Sequence, residues 1–438
     1  MSVSLLSKIQ YRLRKRGLFG LFCISLIKMG ALLQRLGNYF DGRISAAIPL
    51  PGLAGASNKF GGILDVIRQS YLTMSEAAPQ PAVPTGVIAW IVPHFLKGSG
   101  GHTTLFRFIS GLEKLGVKNK IYVLNDMQAM LSPTTLKKQI SEYFSPVHGE
   151  VEIISSQSLA READIVICTS WQTAYAAKAW IAKRKIYFVQ DYEPFFSPVG
   201  SYYHFAEETY RMGFEFFTAG PWLLETLKTK FAVTGDYFYL CPDRSIYYPR
   251  TTFSLKALQE HKAANDLANT FKIGLYNRSL TPRRCVEIAW IALSILPEMD
   301  KRFIVFAFGD EEKRRLPFPH INLGLLSHDE LAQVYSYCDI VIAPSATNLS
   351  LLAREVMACS GVVVDLKGEN TALELKDQIN SILVEPEVAA FLKVIADLID
   401  QPEIIRRMRE HIAAQINALP EWSAQISKLR QFVEGGPV

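Results

Sequence analysis

From about residue 86 onward, short apolar runs alternate with longer amphipathic stretches. Residues 86–93 are almost wholly apolar, and the following stretch carries Leu105, Phe108, Ile109 and Leu112 at helical spacing. Continuous apolar runs are typical of strands buried on both faces of a parallel sheet. The alternation therefore predicts an α/β chain with doubly wound sheets.

This rhythm occurs twice, with a break at residues 241–249, and a chain of 438 residues suits two domains that each bury a core. We therefore predict two Rossmann-like domains facing a cleft. Strands are predicted at 86–93, 120–125, 151–155, 164–169, 185–190 and 215–219, and then at 271–276, 302–309, near 321, at 339–343 and at 361–364. The predicted divisions are a helical N-terminal extension and linker (1–85), an N-terminal domain (86–245), a C-terminal domain (246–400) and a helical tail that packs back toward the N-terminal domain (401–438).

The N-terminal extension places basic residues beside large apolar ones. An uncharged apolar run at 17–27 is about half as long as the ~20 residues that a membrane-spanning helix needs. A signal peptide, a spanning helix, an interfacial amphipathic segment and an ordinary docked helix all stay open, and the charge pattern favours the interfacial segment. The basic residues are Lys8, Arg12, Arg14, Lys15 and Arg16.

Composition narrows the function classes. Hydrophobic residues make up 49% and charged residues 20%, which is typical of a globular protein. The net charge of +5 is mild and concentrated near the start, which argues against a nucleic-acid binder. Six cysteines without CxxC spacing indicate reduced thiols, and no zinc pattern is present in the sequence. We expect no metal and no cofactor.

Two loops at predicted strand ends have the residues of an anion site. Glycines at Gly98, Gly100 and Gly101 lie between a strand and a helix, where backbone N–H groups are free to bind an anion, although a plain tight turn has the same residues. Arg278 and Arg283 follow the strand predicted at 271–276. Guanidinium groups bind phosphate oxygens in pairs and stay charged, so this second loop predicts a diphosphate site, with a solvated loop that carries arginines by chance as the alternative.

The loop and helix at 344–361 carry a longer motif, Pro-Ser-Ala-Thr-Asn followed by Arg-Glu-Val-Met-Ala-Cys-Ser-Gly. This stretch resembles the nucleotide-binding signature of the retaining family 4 glycosyltransferases, which have the GT-B fold. The resemblance implies that Glu355 holds the donor ribose and that Arg278 and Arg283 grip the donor diphosphate. It also places Ser345 and Asn348 among the donor-binding residues.

Motifs in the first half are similar to those of rhamnosyltransferases of bacterial surface-polysaccharide assembly. They are the stretches at 100–108, 190–194 and 207–222, and the whole resemblance covers roughly residues 86–365. It implies a donor site in the C-terminal domain and an acceptor site in the N-terminal domain. Gly100 and Gly101 would then approach the donor from across the cleft.

The chain departs from the family pattern at one acidic position. A first glutamate is expected with seven residues between it and the second, which places Thr347 there by strict counting, or Asn348, one residue closer, when the alignment follows Pro344 and Ser345. That acid normally helps to hold the donor, so the departure puts donor identity and turnover in doubt. Leu325 also replaces a lysine that rhamnosyltransferase-type members often carry.

Asp191, Tyr192 and Glu193 resemble the Asp-x-Asp metal motif of another glycosyltransferase fold. The surrounding Rossmann-like pattern and the arginines argue against a metal there. We instead predict that Asp191 lies away from the donor motifs and deprotonates the acceptor hydroxyl, with His102, Tyr192 and Glu193 on the same acceptor side. A turn carboxylate with a capping role is the alternative.

The sequence thus predicts a metal-independent glycosyltransferase that moves a sugar from a nucleotide-sugar donor, with rhamnose as one candidate, to a bacterial surface glycan. Asp191 and Glu355 are its predicted catalytic residues. The partners would be the donor, a glycan or lipid-linked glycan acceptor and, through residues 1–30, the inner face of the cytoplasmic membrane. Two other functions stay open: a GT-B nucleotide-sugar 2-epimerase and a catalytically weak binding subunit of a glycan assembly complex.

Overall fold

The computed structural model describes residues 61–72, 83–126, 132–263, 270–312 and 314–435. The predictions for the basic stretch and for the apolar run at 17–27 lie outside these residues. Within the described ranges, no helix combines the length and the apolar character that crossing a bilayer requires.

The N-terminal sheet contains seven parallel strands in the order β3-β2-β1-β4-β5-β6-β7. Its strands are β1 (Val87–Pro93), β2 (Lys118–Leu124), β3 (Glu150–Ile154), β4 (Glu162–Cys168), β5 (Ile181–Val189), β6 (Glu215–Ala219) and β7 (Gly235–Phe238). The described helices of this half are α1 (Gly62–Leu72), α2 (Gly100–Lys114), α3 (Pro133–Tyr143), α4 (Trp171–Lys178), α5 (Ser201–Thr209) and α6 (Pro221–Phe231), with a 3₁₀ turn at Glu193–Phe196.

The C-terminal sheet contains six parallel strands in the order β10-β9-β8-β11-β12-β13. Its strands are β8 (Phe271–Tyr276), β9 (Phe303–Phe308), β10 (His320–Gly324), β11 (Ile340–Ile342), β12 (Val362–Leu366) and β13 (Ser381–Val384). The described helices are α7 (Lys256–Ala263), α8 (Val286–Ile295), α9 (His328–Tyr337), α10 (Leu351–Ala358), α11 (Glu369–Ala372), α12 (Val388–Asp400), α13 (Glu403–Ala418) and α14 (Trp422–Gly435), with 3₁₀ turns at Pro282–Arg284 and Leu296–Met299.

The prediction of two Rossmann-like domains is therefore confirmed. The central strands are buried on both faces, as the apolar run of β1 requires, because helices cover each side of a parallel sheet. In both sheets the strand order reverses once, between β1 and β4 and between β8 and β11. Open α/β sheets bind ligands beyond the carboxyl ends of the strands at such points.

Two helices from outside the predicted N-terminal domain pack on its sheet. Helix α1 contacts α4 and adds Val66 and Ile67 to the core. The last helix, α14, packs against α2 so closely that a Cβ on Gly111 would lie 2.4 Å from Cδ1 of Ile426. Gln425 accepts a hydrogen bond of 2.8 Å from the backbone N–H of Tyr239. The described part of the chain thus folds its C-terminal end back onto the first sheet.

Candidate active site

The carboxyl ends of the two sheets face each other, and the loops that follow the strands make the contacts between the domains. In the N-terminal domain, the loop after β1 leads into α2, and the segment that begins at Gln190 follows β5. In the C-terminal domain, the corresponding loops are residues 277–285 after β8 and residues 343–350 after β11. Because the strand order reverses at β1 and at β8, these loops lie where a ligand site is expected.

Three guanidinium groups belong to the loop after β8. Arg283 is within electrostatic reach of both Arg278 and Arg284. Among the residues that the structure describes, Arg283 has one carboxylate within ion-pair distance, that of Asp191 at 3.7 Å, whereas Arg278 and Arg284 have none. Nη1 of Arg284 is buried without a hydrogen-bond partner in the same described part of the chain. The loop therefore carries excess positive charge with free donors, which is the chemistry that binds a diphosphate.

Asp191 lies against this arginine loop, so the prediction that it is remote from the donor motifs was wrong. Its Oδ2 accepts a hydrogen bond of 2.7 Å from the Thr347 hydroxyl and is 3.7 Å from Nε of Arg283. Its Oδ1 accepts from the backbone N–H groups of Tyr192 and Asn348. Burial raises the pKa of Asp191, and Arg283 and Thr347 oppose that rise. The carboxylate thus bridges the two domains.

Asn348 fixes the C-terminal loop to the N-terminal sheet. Its Nδ2 donates to the backbone carbonyls of Gln190 (3.0 Å) and Ala219 (2.8 Å). Gln190 directly follows β5, and Ala219 is the last residue of β6. Its Oδ1 accepts from the N–H of Leu349, and the side chain is 4% exposed. These contacts occupy the amide, so Asn348 serves the contact between domains rather than direct binding of a donor.

Ser345 also has a structural role in the described protein. Its N–H donates to Oδ1 of Asp365 at 2.7 Å, and its hydroxyl donates to the carbonyl of Asn348 at 2.7 Å. Both side chains are buried, and burial raises the pKa of Asp365 to about 7. Donor binding by Ser345 and Asn348 stays a prediction, and their side chains do not supply it in this geometry, because their polar atoms already have partners within the loop and the facing sheet.

The glycine loop leaves the start of α2 open toward the cleft. Ser99 precedes the helix without a side-chain capping bond, and a Cβ on Gly100 would meet nothing within 4 Å. Nε2 of Gln190 donates to the carbonyl of Gly101 at 2.9 Å, which places this helix end beside the Asp191 segment. Uncapped N–H groups at a helix start favour an anion.

His102, in the first turn of α2, packs among aromatic rings. Its Nδ1 is 2.8 Å from the Ser99 hydroxyl, and its ring lies about 6 Å from those of Phe95 and Phe144. Burial lowers the pKa of His102 to about 4, so the imidazole is neutral at pH 7. The residue lies at the edge of the glycine loop, as the acceptor-side prediction needs, and its contact with an acceptor stays a prediction.

Tyr192 and Glu193 point away from the cleft, so their acceptor-side assignment was wrong. Tyr192 is fully buried and donates its hydroxyl to Oε1 of Glu207. Oε2 of Glu193 accepts from the backbone N–H of Trp171 (2.5 Å) and from the Tyr187 hydroxyl (3.0 Å), and burial raises the pKa of Glu193 to about 8. Glu193 therefore holds the start of α4 within the N-terminal core.

Glu355 lies on α10, next to residues from two other parts of the chain, α2 and the connection between the domains. Burial raises the pKa of Glu355 to about 7, against the opposing effects of the Arg107 charge and the Tyr247 hydroxyl. Arg107 belongs to α2 and forms an ion pair of 3.5 Å with Asp243. Glu355 is thus a half-buried acceptor where the domains and their connection meet, and its contact with the donor ribose stays a prediction.

No group of three or more metal-ligating side chains occurs among the described residues. Asp191 and Glu193, which resemble a metal motif in sequence, belong to different environments: Asp191 faces the C-terminal loops and Glu193 faces the N-terminal core. Sequence reasoning missed the contacts of Thr347, Arg107 and Tyr247, because each crosses between segments that are far apart in the chain.

Comparison with known proteins places the fold in the GT-B class. The chain is similar to Anabaena HepE in complex with UDP-glucose, with 15% identity, a TM-score of 0.59, and coverage of 80% of this chain and all of HepE. It is also similar to WaaG, a glycosyltransferase involved in lipopolysaccharide biosynthesis, with 12% identity, a TM-score of 0.54, and coverage of 80% and 100%. A putative UDP-N-acetylglucosamine 2-epimerase from Listeria monocytogenes has 11% identity, a TM-score of 0.51, and coverage of 81% and 98%.

One curated relative is similar in sequence. The O-antigen biosynthesis protein RfbC of Myxococcus xanthus is 25% identical over 349 residues, which cover 78% of this chain and 26% of RfbC. The chain therefore spans about a quarter of the length of the curated relative that it matches. No family model matches the chain.

Proposed function

We propose that this protein is a glycosyltransferase of bacterial surface-polysaccharide assembly, with O-antigen as the type of glycan, and that it takes its sugar from a nucleotide-sugar donor. The observation that carries the proposal is the loop after β8, where Arg278, Arg283 and Arg284 share a single long carboxylate contact among the described residues. The GT-B fold and the relative named for O-antigen biosynthesis support the same function.

In this proposal, Arg278 and Arg283 bind the donor diphosphate and offset the charge that builds on it as the glycosidic bond to the donor breaks. The open N-terminus of α2, with Gly100 and Gly101, adds N–H donors from across the cleft. Glu355 accepts the ribose hydroxyls, for which a half-buried carboxylate beside Arg107 is suited.

Asp191 is the proposed catalytic residue of the N-terminal domain. It is the carboxylate within ion-pair distance of Arg283 among the described residues, and its side chain is 14% exposed. From this position it accepts the proton of the acceptor hydroxyl as the new bond forms. His102 and the edge of the glycine loop are the proposed acceptor side.

Finer features of the reaction are also proposals. The similarity to rhamnosyltransferases favours a dTDP-rhamnose donor, and the similarity to family 4 favours retention of the anomeric configuration. HepE, whose structure holds UDP-glucose, makes UDP-sugars the first alternative donors to examine. No metal is needed in this account, since the arginines supply the charge that a metal would supply.

A nucleotide-sugar 2-epimerase is the second candidate function, because a putative enzyme of that kind has a similar fold. An epimerase converts the donor without an acceptor, whereas a transferase needs one. A binding subunit without turnover is the third candidate function. It is considered because Thr347 and Asn348 are not acidic, although the family has a glutamate at this place.

One experiment separates these functions. The purified protein is screened by thermal shift against dTDP-, UDP- and GDP-sugars, since a ligand at 100 times its Kd adds about 2.7 kcal/mol of stability. The donor that stabilises the protein is then incubated with and without a lipid-linked glycan extract. Acceptor-dependent release of the nucleoside diphosphate supports the transferase. Conversion of the donor alone supports the epimerase, and binding without either supports the subunit.

We also propose that the N-terminal extension docks on the inner face of the cytoplasmic membrane, which would bring the enzyme to a lipid-linked acceptor. The basic residues at 8–16 precede the apolar run at 17–27, and each basic residue near an anionic surface contributes about 1 kcal/mol. Full-length protein should float with anionic liposomes in low salt and be released in high salt. Because α1 packs on the N-terminal core, the truncated control keeps this helix and begins at Gly61. Flotation of this control, or failure of the full chain to float, would contradict the proposal.

A further inference from the structure

One aromatic ring of the N-terminal domain contacts the arginine loop of the C-terminal domain. The ring of Phe196 lies 4.5 Å from Cζ of Arg283, within the range of a cation–π interaction. Phe196 ends the 3₁₀ turn Glu193–Phe196, five residues after Asp191 in the chain. It is 45% exposed, so the core of its own domain does not account for it.

Hydrogen bonds with residues of the N-terminal core hold the turn that carries Phe196. Glu193 is buried and accepts hydrogen bonds from Trp171 and Tyr187, while its own N–H donates to the Tyr210 hydroxyl at 2.9 Å. The N–H of Phe195 closes the turn on the carbonyl of Tyr192. Phe196 therefore projects from a fixed support toward Arg283.

Arg283 is fixed from three directions. Its carbonyl accepts a hydrogen bond of 2.9 Å from the N–H of Ala346, which ties its backbone to the loop after β11. Oδ2 of Asp191 lies 3.7 Å from its Nε, and the Phe196 ring lies 4.5 Å from its Cζ. The two side-chain contacts come from the N-terminal domain and the backbone contact from the C-terminal domain.

The two side-chain contacts have different consequences for an anion that binds Arg283. A carboxylate neutralises the guanidinium and competes with a phosphate for its N–H groups. An aromatic ring fixes the guanidinium without neutralising it and without accepting its conventional hydrogen bonds, so the N–H donors stay available.

We propose that Phe196 is a positioning residue for donor binding: it fixes the Arg283 guanidinium so that its free N–H groups bind the donor diphosphate. This inference rests on the proposed function, in which Arg283 binds that diphosphate. Because the ring and the guanidinium belong to different domains, diphosphate affinity depends on the contact between the domains at this point.

Phe195 provides a matched control. It is the neighbouring residue, is 46% exposed, and packs its ring against Tyr192 at 4.7 Å rather than against an arginine. Replacing either phenylalanine by leucine removes a half-exposed ring from the same turn, but only Phe196→Leu removes the ring that contacts Arg283.

The test is calorimetry on the full-length protein with UDP and uridine, or with dTDP and thymidine if the wild type binds thymine nucleotides more tightly. Phe196→Leu should weaken binding of the diphosphate about 3- to 10-fold and binding of the nucleoside less than about 2-fold. Phe196→Trp should keep the wild-type affinity, and Phe195→Leu should change neither. In transfer assays, Phe196→Leu should raise the donor KM more than it lowers kcat.

Arg283→Ala separates this inference from the proposed function. If Arg283→Ala leaves diphosphate affinity unchanged, the assignment of the diphosphate site is wrong, and the positioning role of Phe196 is wrong as well. If Arg283→Ala weakens the diphosphate but Phe196→Leu behaves like Phe195→Leu, only the positioning role is wrong. Equal loss for nucleoside and diphosphate in Phe196→Leu would also overturn it. Adding Phe196→Leu to Arg283→Ala should cause no further loss.

Discussion

Two segments at the carboxyl ends of parallel strands lie next to each other, and they differ in how much of their polar chemistry is already used. The segment after β5, from Gln190 to Phe196, contains the carboxylates of Asp191 and Glu193, and both accept hydrogen bonds from the protein itself. The segment after β8 contains Arg278, Arg283 and Arg284, which have one long contact with a carboxylate among the described residues.

The difference teaches that polar atoms without partners, and not the spacing of a motif alone, indicate the diphosphate site. Glu193 is part of the N-terminal core, and Asp191 joins the domains while keeping some exposure to the cleft. The arginines, by contrast, keep free donors and uncompensated charge.

The largest expected effect concerns the buried carboxylate of Glu193. Its pKa is raised from an ordinary 4.5 to about 8, so the folded protein holds this proton more tightly than the unfolded chain does. Wild-type stability should therefore fall as pH rises from about 4.5 to about 8. Glu193→Gln removes this dependence, and since a tenfold change in proton affinity is worth about 1.4 kcal/mol, the gain above pH 8 should be several kcal/mol.

Urea unfolding of wild type and Glu193→Gln between pH 5 and pH 9 measures this gain. The exposed Glu225→Gln on α6 is the control for adding an amide to the same domain, and it should follow the wild-type curve. Parallel curves for wild type and Glu193→Gln would mean that Glu193 is not a buried structural acid.

The next effect concerns catalysis by Asp191. Asp191→Asn keeps an oxygen that accepts from the N–H groups of Tyr192 and Asn348 and removes the charge beside Arg283. Transfer should fall at least ~100-fold, as for loss of a general base. Diphosphate affinity should stay the same or increase, because the carboxylate no longer competes for Arg283. Weaker diphosphate binding in calorimetry would show that Asp191 works as an anchor and not as a base.

A smaller effect is expected from the contact between the domains. Asn348→Ala removes the donors to the carbonyls of Gln190 and Ala219, and unpaired buried groups cost about 1–3 kcal/mol. Unfolding free energy and transfer should both fall. Ser350→Ala on the same loop removes a hydrogen bond that starts α10 and does not cross the cleft, so it should lower stability with little change in transfer. Equal transfer by the two variants would contradict the role of Asn348.

The smallest expected effect is that of metal removal. If the arginine segment alone offsets the charge of the leaving diphosphate, transfer should be unchanged after treatment with EDTA. Loss of transfer that Mg²⁺ or Mn²⁺ restores would show that the guanidinium groups are not sufficient.

The apolar runs of the central strands were enough to predict most of both sheets. Two strands were missed: β7 (Gly235–Phe238) and β13 (Ser381–Val384), which are four-residue strands at the edges of their sheets. Such strands have little room for a periodic pattern, and β7 also contains Gly235 and Asp236. Edge position is a property of the assembled sheet, so the local sequence did not reveal it.

The sequence predicted the place of some site residues and not the surroundings of others. The place of Arg278 and Arg283 follows from their position directly after a buried strand, where side chains must lie at the edge of the sheet. Asp191, Tyr192 and Glu193 are consecutive residues where β5 leads into the 3₁₀ turn Glu193–Phe196, and their side chains go to different environments. The sequence has no periodicity there that tells which of the three faces the cleft.

The central claim is that the arginine segment binds the diphosphate of a nucleotide-sugar. Calorimetry of wild type, Arg278→Ala and Arg283→Ala with a nucleoside diphosphate and with the matching nucleoside tests it most directly. Each substitution should weaken the diphosphate by about 1.5–3 kcal/mol, the contribution of a charge-assisted hydrogen bond, and should leave the nucleoside almost unchanged. Equal losses for nucleoside and diphosphate, or no loss for either, would contradict the account.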